Sequence, residues 1–356
     1  MTSVLGRYLI RAILGHALLV MLVLLALTGL YLFITQQDEI GIGTYTLEDA
    51  LLYVALTLPQ YAFDLLPIAT LIGALLALGN LARSMELIVV RAAGVSPFRI
   101  GVWVAGAGLI LMALTGTIGE FVAPPLERYG RQMKTFAKFQ DYSMAGNRSA
   151  WAKDGDTIIS VRRQSADNQY GGVYVFHFDP QRRLRSVGRA NSARIEADNR
   201  WRLDNYRESA FEGQRVIPRR AASSELQTNI SQEFLGLAAV NPESLPLRDL
   251  WRYVRHLRAN GLDARQHETA FWARIARTVA VAIIVVLAVP FAFGPMRSAG
   301  TGARTVVGVM IGVVFFLLAR MLESGGAVFD MPPIIVAWAP TALLALITTI
   351  AVARVR

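Results

Sequence analysis

Cysteine is absent from the 356 residues of this chain, and histidine occurs only four times. Without cysteine the chain can form neither a disulfide nor a thiolate metal site. The histidines are not spaced as metal ligands, and we interpret them as surface or interface residues: His16, His177, His256 and His267. The sequence therefore predicts no metal bound by this chain.

Lysine is nearly absent as well. The chain has only Lys134, Lys138 and Lys153, and none of them lies in a glycine-rich phosphate loop of the form GxxxxGK[ST]. We therefore expect no bound ATP and no other cofactor. No GxSxG motif or paired-carboxylate arrangement points to a hydrolase.

Charge is scarce, and apolar residues are abundant. Charged residues make up 17% of the chain, hydrophobic residues 54%, and the mean hydropathy is +0.40, which indicates a membrane protein. The net charge of +10 comes almost entirely from arginines. These arginines are scattered over short loops and one polar region instead of forming a stripe, which argues against a nucleic-acid partner.

Six apolar runs are long enough to cross a hydrocarbon core, which takes about 20 residues. They are Leu9–Ile34, Leu51–Leu81, Phe98–Val122, Phe271–Phe293, Val306–Leu322 and Ile334–Val352. The first run lacks the features of a cleaved signal peptide and is interpreted as retained. Pro59 and Pro67 are expected to bend the second run or to separate a short interfacial piece from it.

The short loops predict the orientation in the membrane. Arginines mark one side: Arg7, Arg11, Arg83, Arg91, Arg99, Arg297, Arg304, Arg354 and Arg356. The loops 35–59 and 324–333 contain no Lys or Arg. The positive-inside rule then places both termini in the cytoplasm and the large polar insert on the far side.

The polar insert is predicted to be a β domain. Short runs of β-branched and aromatic residues alternate with turn signals, which is typical of an antiparallel sandwich or roll. The runs are Thr157–Arg163, Gly172–Asp179, Arg183–Asp198 and Arg200–Gly213. Amphipathic segments flank them at Leu126–Gln140 and Leu247–Gly261; the second places Leu250, Val254 and Leu257 on one helical face and ends at Asn260-Gly261.

The stretch LARSMELIVVRAAGVSPF, residues 81–98, places an acid in an apolar run between arginines. It predicts a short helix over about 84–94, too short to span, with Ser84 as N-cap, Glu86 in the first turn and Gly94 as terminator. Ser96-Pro97 then begins the third span. Glu86 either merely caps an interfacial helix or, with Leu87, Val90 and Arg91 on a nearby face, meets a cytoplasmic partner.

Charged residues in or near the spans have two interpretations each. Asp64, Glu120, Arg274 and Arg277 are expected to snorkel to the interface from the far-side ends of their helices, and Arg320 and Glu323 to pair at i,i+3. Arg131 and Lys134, also i,i+3, form either a solvated helix face or a pair of cations for an anionic ligand such as a phosphorylated lipid.

Long ordered blocks of the chain resemble the LptF/LptG (YjgP/YjgQ) lipopolysaccharide export permeases. The blocks include RYLIRAI, LPIATLIGALLALGNLARSMELIVVRAAGVS, IGEFVAPPLERYGRQM, WAKDG, FAFGPMRSAGTGARTVVG and MPPIIVAWAP. Among them, GPMRS and WAKDG resemble the LptG branch more than LptF. One departure is LFITQQDEIG, where LptG-like proteins carry lysines at the outer end of the first span.

The resemblance implies a membrane α-helical bundle of six transmembrane helices plus a periplasmic antiparallel β-jellyroll. The expected divisions are 1–124 with the cytoplasmic coupling helix at about 84–94, 125–265 for the jellyroll with its flanking helices, and 266–356. The implied partners are an LptF-type permease, an LptB ATPase dimer that uses ATP and Mg²⁺, LptC, membrane lipid and lipopolysaccharide.

The resemblance also assigns residues. Glu86, Leu87, Arg83 and Arg91 would couple the chain to the ATPase, and Arg131 and Lys134 would face lipopolysaccharide. The expected function is a non-catalytic permease subunit in the bacterial inner membrane that extracts lipopolysaccharide for export.

Three alternatives remain open at this point. They are the paralogous LptF role, an intramembrane enzyme using Asp64, Glu120 or Glu323, and a membrane-anchored scaffold.

Overall fold

The computed structural model describes residues 4–139, 150–164, 169–196, 200–213, 215–228, 230, 242–293, 300–328 and 331–354. The chain divides into two compact units. Unit 1 comprises Met1–Gln37, Val54–Glu127 and Arg265–Arg356, and unit 2 comprises Asp38–Tyr53 and Arg128–Ala264. The sequence-based divisions after residues 124 and 265 lie close to two of these limits, but they did not assign Asp38–Tyr53 to the polar unit.

Helices dominate the described part of the chain. They are α1 (Val4–Gln36), α2 (Leu47–Arg83), α3 (Glu86–Ala92), α4 (Pro97–Thr117), α5 (Ala123–Phe139), α6 (Leu247–Ala259), α7 (Arg265–Phe293), α8 (Thr301–Val328) and α9 (Pro333–Ala353). Six helical segments are long and apolar enough to cross a membrane, namely α1, α2, α4 with α5, α7, α8 and α9. The predicted six spans are confirmed.

Prolines interrupt fewer helices than the sequence suggests. Pro59 and Pro67 both lie inside the continuous α2, so the expected separate interfacial piece does not form. The third span does not end at Val122, because α4 continues through a π-helical turn, Ile118–Val122, into α5. A proline lacks the N–H that a regular helix needs, and the wider π turn accommodates Pro124 and Pro125 directly after it.

Unit 1 buries one continuous apolar core. Helix α7 packs against both α4 and α9, and its small residues let the backbones approach closely. Helices α1 and α2 approach closely at Gly73, where a Cβ atom would lie 2.4 Å from Cα and 2.5 Å from N of Ala17. Only glycine therefore fits at this crossing.

Two spans keep broad apolar surfaces outside this core. Helix α1 exposes Leu18, Leu19, Leu22, Leu27, Leu30 and Ile34, and α8 exposes Val306, Met310, Val314, Leu317 and Met321. A soluble protein rarely exposes apolar area on this scale, whereas lipid or another membrane helix would cover it at no cost. These surfaces agree with a multi-pass membrane protein.

Unit 2 contains an antiparallel sheet with strand order β1-β2-β4-β5-β6-β7, and β3 pairs with β4. The strands are β1 (Ala150–Asp154), β2 (Thr157–Val161), β3 (Arg163–Gln164), β4 (Gln169–Phe178), β5 (Leu184–Ile195), β6 (Arg200–Glu212) and β7 (Arg215–Gln227). The four predicted strands correspond to β2, β4, β5 and β6. Strand β7 was missed because every residue on it is partly or fully exposed, so it shows no apolar alternation.

The sheet core is centred on Trp201, which is fully buried, donates a hydrogen bond from Nε1 to the Ile230 carbonyl at 3.0 Å and stacks on Tyr170 with ring centroids 5.7 Å apart. Burial of this ring raises the pKa of Tyr170 to about 12. Antiparallel pairing and one buried face confirm the predicted β domain.

Helix α6 has the buried apolar face and the C-terminal stop that the sequence predicted. Leu250, Val254 and Leu257 are buried on one face, and Gly261 with φ +64° follows the helix end at Asn260. The WAKDG turn docks on this end, because the Gly155 N–H donates to Asn260 Oδ1 at 2.9 Å. The amphipathic helix is thereby fixed to the β1–β2 hairpin.

The close approach at Gly73 gives a stability prediction. Gly73→Ala should lower the free energy of unfolding of the detergent-solubilised protein by about 1 to 3 kcal/mol, because the new methyl group overlaps the α1 backbone. Gly101→Ala in α4 is the matched control, since a Cβ there meets no atom within 4 Å. Thermal melts in detergent measure both variants, and equal melting temperatures would contradict the proposed packing.

Candidate functional site

Helix α3 begins at Glu86, and its carboxylate is held by two neighbouring hydroxyl groups. Ser84 Oγ donates to Glu86 Oε1 at 2.9 Å, and Tyr8 Oη donates to Glu86 Oε2 at 2.9 Å. The predicted N-cap role of Ser84 is wrong. Met85 occupies the cap position with φ +63°, which leaves the Ser84 hydroxyl to bind the Glu86 side chain.

The C-terminal end of α3 has the punctuation predicted for it. Gly94 adopts φ +87°, and its N–H donates to the Arg91 carbonyl at 3.0 Å. Ser96 Oγ accepts the Arg99 N–H at 3.3 Å, and Pro97 opens α4. The helix itself has seven residues, shorter than the predicted 84–94.

The exposed surface of α3 differs from the face that the sequence predicted. Leu87 is only 2% exposed and lies in the unit 1 core, so it cannot present itself beside Glu86 to an outside protein. The apolar residues that do reach the surface are Met85, Ile88 and Val89. The sequence did contain an indication of these exposed residues, because ELIVVRA has more apolar residues than one buried helix face requires.

The two arginines of this region occupy different elements. Arg83 lies in the last turn of α2 and is exposed. Arg91 lies in the last turn of α3, and its Cζ is 5.6 Å from the ring centroid of Phe293 at the end of α7. Helix α3 therefore contacts α1 through Tyr8 and α7 through Phe293. Along the chain it connects α2 to α4.

A second group of charges converges inside the bundle. Arg277 of α7 contacts Glu323 of α8 through Nη2–Oε2 at 2.6 Å and Nε–Oε1 at 3.3 Å, and Asp64 of α2 through Nη1–Oδ1 at 3.4 Å. The interpretation of Asp64 and Arg277 as separate snorkelling residues is wrong, because their side chains meet across three helices. The predicted Arg320–Glu323 pair is confirmed at 3.8 Å.

Arg274 lies one turn before Arg277 and is buried, with 5% of its surface exposed. Its Nη2 donates to the Gly119 carbonyl in the π turn that also contains Glu120, and its Cζ lies 4.7 Å from the centroid of the Phe63 ring. Snorkelling is therefore wrong for Arg274 too. A backbone carbonyl and an aromatic face replace the water that a guanidinium would otherwise need.

A small pocket adjoins the Arg277 group. It has room for about one water molecule, about 20 Å³. Its lining comes from α2, α7 and α8: Asp64, Pro67, Ile68, Arg277, Phe315, Phe316, Ala319, Arg320 and Glu323.

The predicted lipid-facing cations lie on α5 in unit 2, and each already has a partner. Lys134 Nζ is 2.5 Å from Glu39 Oε2 and 4.6 Å from the Tyr53 ring centroid. Lys138 Nζ is 3.5 Å from the same Glu39 oxygen. Arg131 Nη2 donates to Ser244 Oγ at 2.9 Å.

Glu39 belongs to the QQDEIG segment that follows α1. The Thr44 N–H donates to the Ala137 carbonyl at 2.7 Å and fixes this segment on α5. Gly43 makes the approach possible, because a Cβ there would lie 2.4 Å from the Lys138 carbonyl oxygen. Two lysines and one glutamate leave this cluster with one net positive charge.

The described ranges contain no group of three His, Asp or Glu residues that could hold a metal ion. The GPMRS loop, residues 294–298, and the terminal Arg356 lie outside the described residues.

Removing Arg277 alone should destabilise the protein more than replacing Asp64, Arg277 and Glu323 together. Arg277→Gln should lower the free energy of unfolding in detergent by about 2 to 3 kcal/mol, since Asp64 and Glu323 lose their shared cation. The triple variant Asp64→Asn, Arg277→Met, Glu323→Gln should recover most of this loss. Arg320→Gln is the control, because its side chain is 46% exposed and should cost less than about 1 kcal/mol. A triple variant no more stable than Arg277→Gln would refute the shared-cation account.

Comparison with known proteins places the whole chain in one family. The family described as "Lipopolysaccharide export system permease LptF/LptG" matches residues 7–354. The lipopolysaccharide export system permease protein LptG of Escherichia coli K12 is 33% identical over 348 residues, covering 97% of each chain. LptG of Haemophilus influenzae is 33% identical over 344 residues, covering 96% of each chain. The six spans, the antiparallel sheet domain and these matches together show that this chain belongs to the LptF/LptG family of lipopolysaccharide export permeases.

Proposed function

We propose that this chain is a permease subunit that extracts lipopolysaccharide from the bacterial inner membrane and passes it on for export to the outer membrane. The relatives described above are named as lipopolysaccharide export system permease proteins, and they match almost the whole chain. Because they are named LptG, we assign the LptG role, with an LptF-type permease as the partner in a heterodimer. The exposed apolar surfaces of α1 and α8 suit a second membrane protein.

Extraction needs an external source of energy. Removing a lipid from a bilayer costs about 0.8 kcal/mol for each buried CH₂ group, so a lipid with several acyl chains does not leave unaided. We assign the energy to a dimer of LptB, which would bind ATP and Mg²⁺, and we regard this chain as non-catalytic. Asp64 and Glu323, the candidate acids of an enzyme, are both ion-paired with Arg277.

The observation that carries the coupling proposal is the set of contacts around α3. Glu86 faces outward with the exposed Met85, Ile88 and Val89, while buried Leu87 anchors the helix in the core. A partner that pushes on this surface would move α1 through Tyr8 and α7 through Phe293. Arg83 and Arg91 add positive charge beside the same surface and would orient an acidic partner.

The coupling proposal implies a membrane orientation. An ATPase that binds α3 would lie in the cytoplasm, which agrees with the arginine-rich loops and would put both termini there. Unit 2 would then lie in the periplasm, where it can hand the lipid to LptC.

The lipid itself would meet Arg131 and Lys134. Glu39 neutralises part of the positive charge in this cluster, and Lys134 can exchange that carboxylate for a phosphate of the lipid. The anionic ligand competes with an internal carboxylate, so Glu39 would tune the affinity of the site.

The coupling proposal predicts that Glu86→Gln lowers ATP-driven lipopolysaccharide release at least about fivefold in proteoliposomes that contain the assembled exporter. The variant loses a charge-assisted contact, which is worth about 1.5 to 3 kcal/mol. Co-purification of LptB and its ATPase rate are measured in the same preparation. Glu48→Gln, an exposed acid in the first turn of α2, is the control.

A second variant separates a partner contact from an internal one. Tyr8→Phe removes the hydroxyl that binds Glu86 and leaves the carboxylate available to a partner. We expect LptB to remain bound in Tyr8→Phe. If Tyr8→Phe releases LptB as fully as Glu86→Gln does, Glu86 acts within the chain and not as the docking residue.

The lipid-contact proposal predicts opposite effects from neighbouring changes. Arg131→Gln with Lys134→Gln should reduce photo-crosslinking of lipopolysaccharide to α5 several-fold, because two cations are lost. Glu39→Gln should increase crosslinking, because it frees Lys134 from its carboxylate partner. Unchanged crosslinking in both variants would remove these residues from the lipid path.

A further inference from the structure

Three arginines lie in line across the sheet of unit 2. Arg189 of β5 is directly opposite Arg207 of β6, and Arg207 is directly opposite Arg220 of β7. Residues opposite one another on antiparallel strands share a face, with Cβ atoms about 5 Å apart. We refer to Arg189, Arg207 and Arg220 as the arginine row.

The arginine row lies on the outer face of the sheet. All three side chains are exposed, whereas Gly188 and Ala190 beside Arg189, and Tyr206 beside Arg207, are buried. Because side chains alternate between the two faces of a strand, the row points away from the core that holds Trp201. The row is therefore accessible to a ligand.

Such a row is unfavourable for the fold, because like charges directly opposite each other destabilise a sheet. None of its three members makes an ion pair with any residue that the structure describes. Other arginines of the same strands do: Arg202 lies 3.7 Å from Glu196, and Arg219 lies 3.7 Å from Glu212. Arg202 and Arg219 thus have carboxylate partners, whereas the row has none among the described residues.

The row continues into an aromatic surface. Tyr174 of β4 is directly opposite Arg189, and its ring centroid lies 5.7 Å from Cζ of Arg189 and 5.2 Å from Cζ of Arg162. Phe176 stacks on Tyr174 at 6.5 Å and on Trp151 at 5.7 Å, and Trp151 is 54% exposed. One face therefore presents guanidinium groups on one side and flat aromatic rings on the other.

We infer that this face binds a saccharide that carries phosphate groups. Guanidinium groups bind phosphate through two parallel hydrogen bonds, and three of them on directly opposed residues can bind closely spaced phosphates. Aromatic rings pack against the C–H faces of sugars, which have polar edges and apolar faces. An acidic protein would use the cations but would have less need of the adjoining aromatic surface, so charge and ring chemistry together favour the phosphorylated saccharide.

The inference goes beyond the coupling and α5 sites, because it involves neither Glu86 nor Lys134. It deepens the proposed function only in suggesting the saccharide part of the transported lipid as the natural ligand. Binding is measured without ATP and without acyl chains, so its failure is distinguishable from a failure of lipid release.

The test uses the full-length chain in nanodiscs and a deacylated, phosphorylated lipopolysaccharide saccharide as the probe. Calorimetry or fluorescence anisotropy gives the dissociation constant for this probe, for the same saccharide after removal of its phosphates, and for inorganic phosphate. We expect the phosphorylated saccharide to bind at least about tenfold more tightly than either of the others. Its affinity should fall as salt is raised, since salt screens exposed charges.

Variants then locate the site. Arg189→Gln with Arg207→Gln should weaken binding of the phosphorylated saccharide at least about tenfold and should not lower the melting temperature, because it removes like-charge repulsion. Arg219→Gln is the matched control: it is the sequence neighbour of Arg220 but pairs with Glu212. It should bind the saccharide as the unmodified chain does.

Three results would overturn the inference. One is equal affinity in the double variant and the control. Another is equal affinity for inorganic phosphate and the phosphorylated saccharide, which would make the row a simple phosphate site. The third is binding of an acidic protein partner through the row with no measurable saccharide binding.

Discussion

Arg277 of α7 binds Glu323 of α8 and Asp64 of α2, and all three helices are long and apolar enough to cross a membrane. Each of the three charges would be costly alone, so α2, α7 and α8 must stay in register for all three to be satisfied. Helix α8 otherwise contacts α2 through small residues, with Gly308 against Leu75 and Gly312 against Ile68. The Arg277 group therefore links α8, which has a broad exposed apolar surface, to α2 and α7.

Helix α3 combines a buried residue that anchors it with an exposed surface. Burial of Leu87 fixes the helix, and the exposed Met85, Glu86 and Val89 leave a surface of mixed chemistry outside. Its contacts to Tyr8 and Phe293 reach two further helices. A displacement of these seven residues would therefore be transmitted to α1, α2, α4 and α7.

Prediction from the sequence succeeded where the pattern is local and failed where partners come from distant positions. The six apolar runs, the four patterned strands and the Gly94-Ser96-Pro97 punctuation depend on neighbouring residues. The partner of Arg277 lies 46 residues from it along the chain at Glu323, and that of Lys134 lies in the loop after α1 at Glu39. No spacing rule connects such positions, so Arg277 was predicted to snorkel and the contact between Lys134 and Glu39 was not predicted.

The sequence by itself determined the membrane-spanning character of this protein, its family and the existence of a short helix with an acid in its first turn. These properties follow from chain hydropathy and from backbone preferences of single residues. Tertiary structure alone decided that Leu87 faces inward, that Glu39 shares Lys134, and that three arginines of three strands stand side by side. The reason is that burial and charge pairing depend on register between elements, and register is set only when the elements pack.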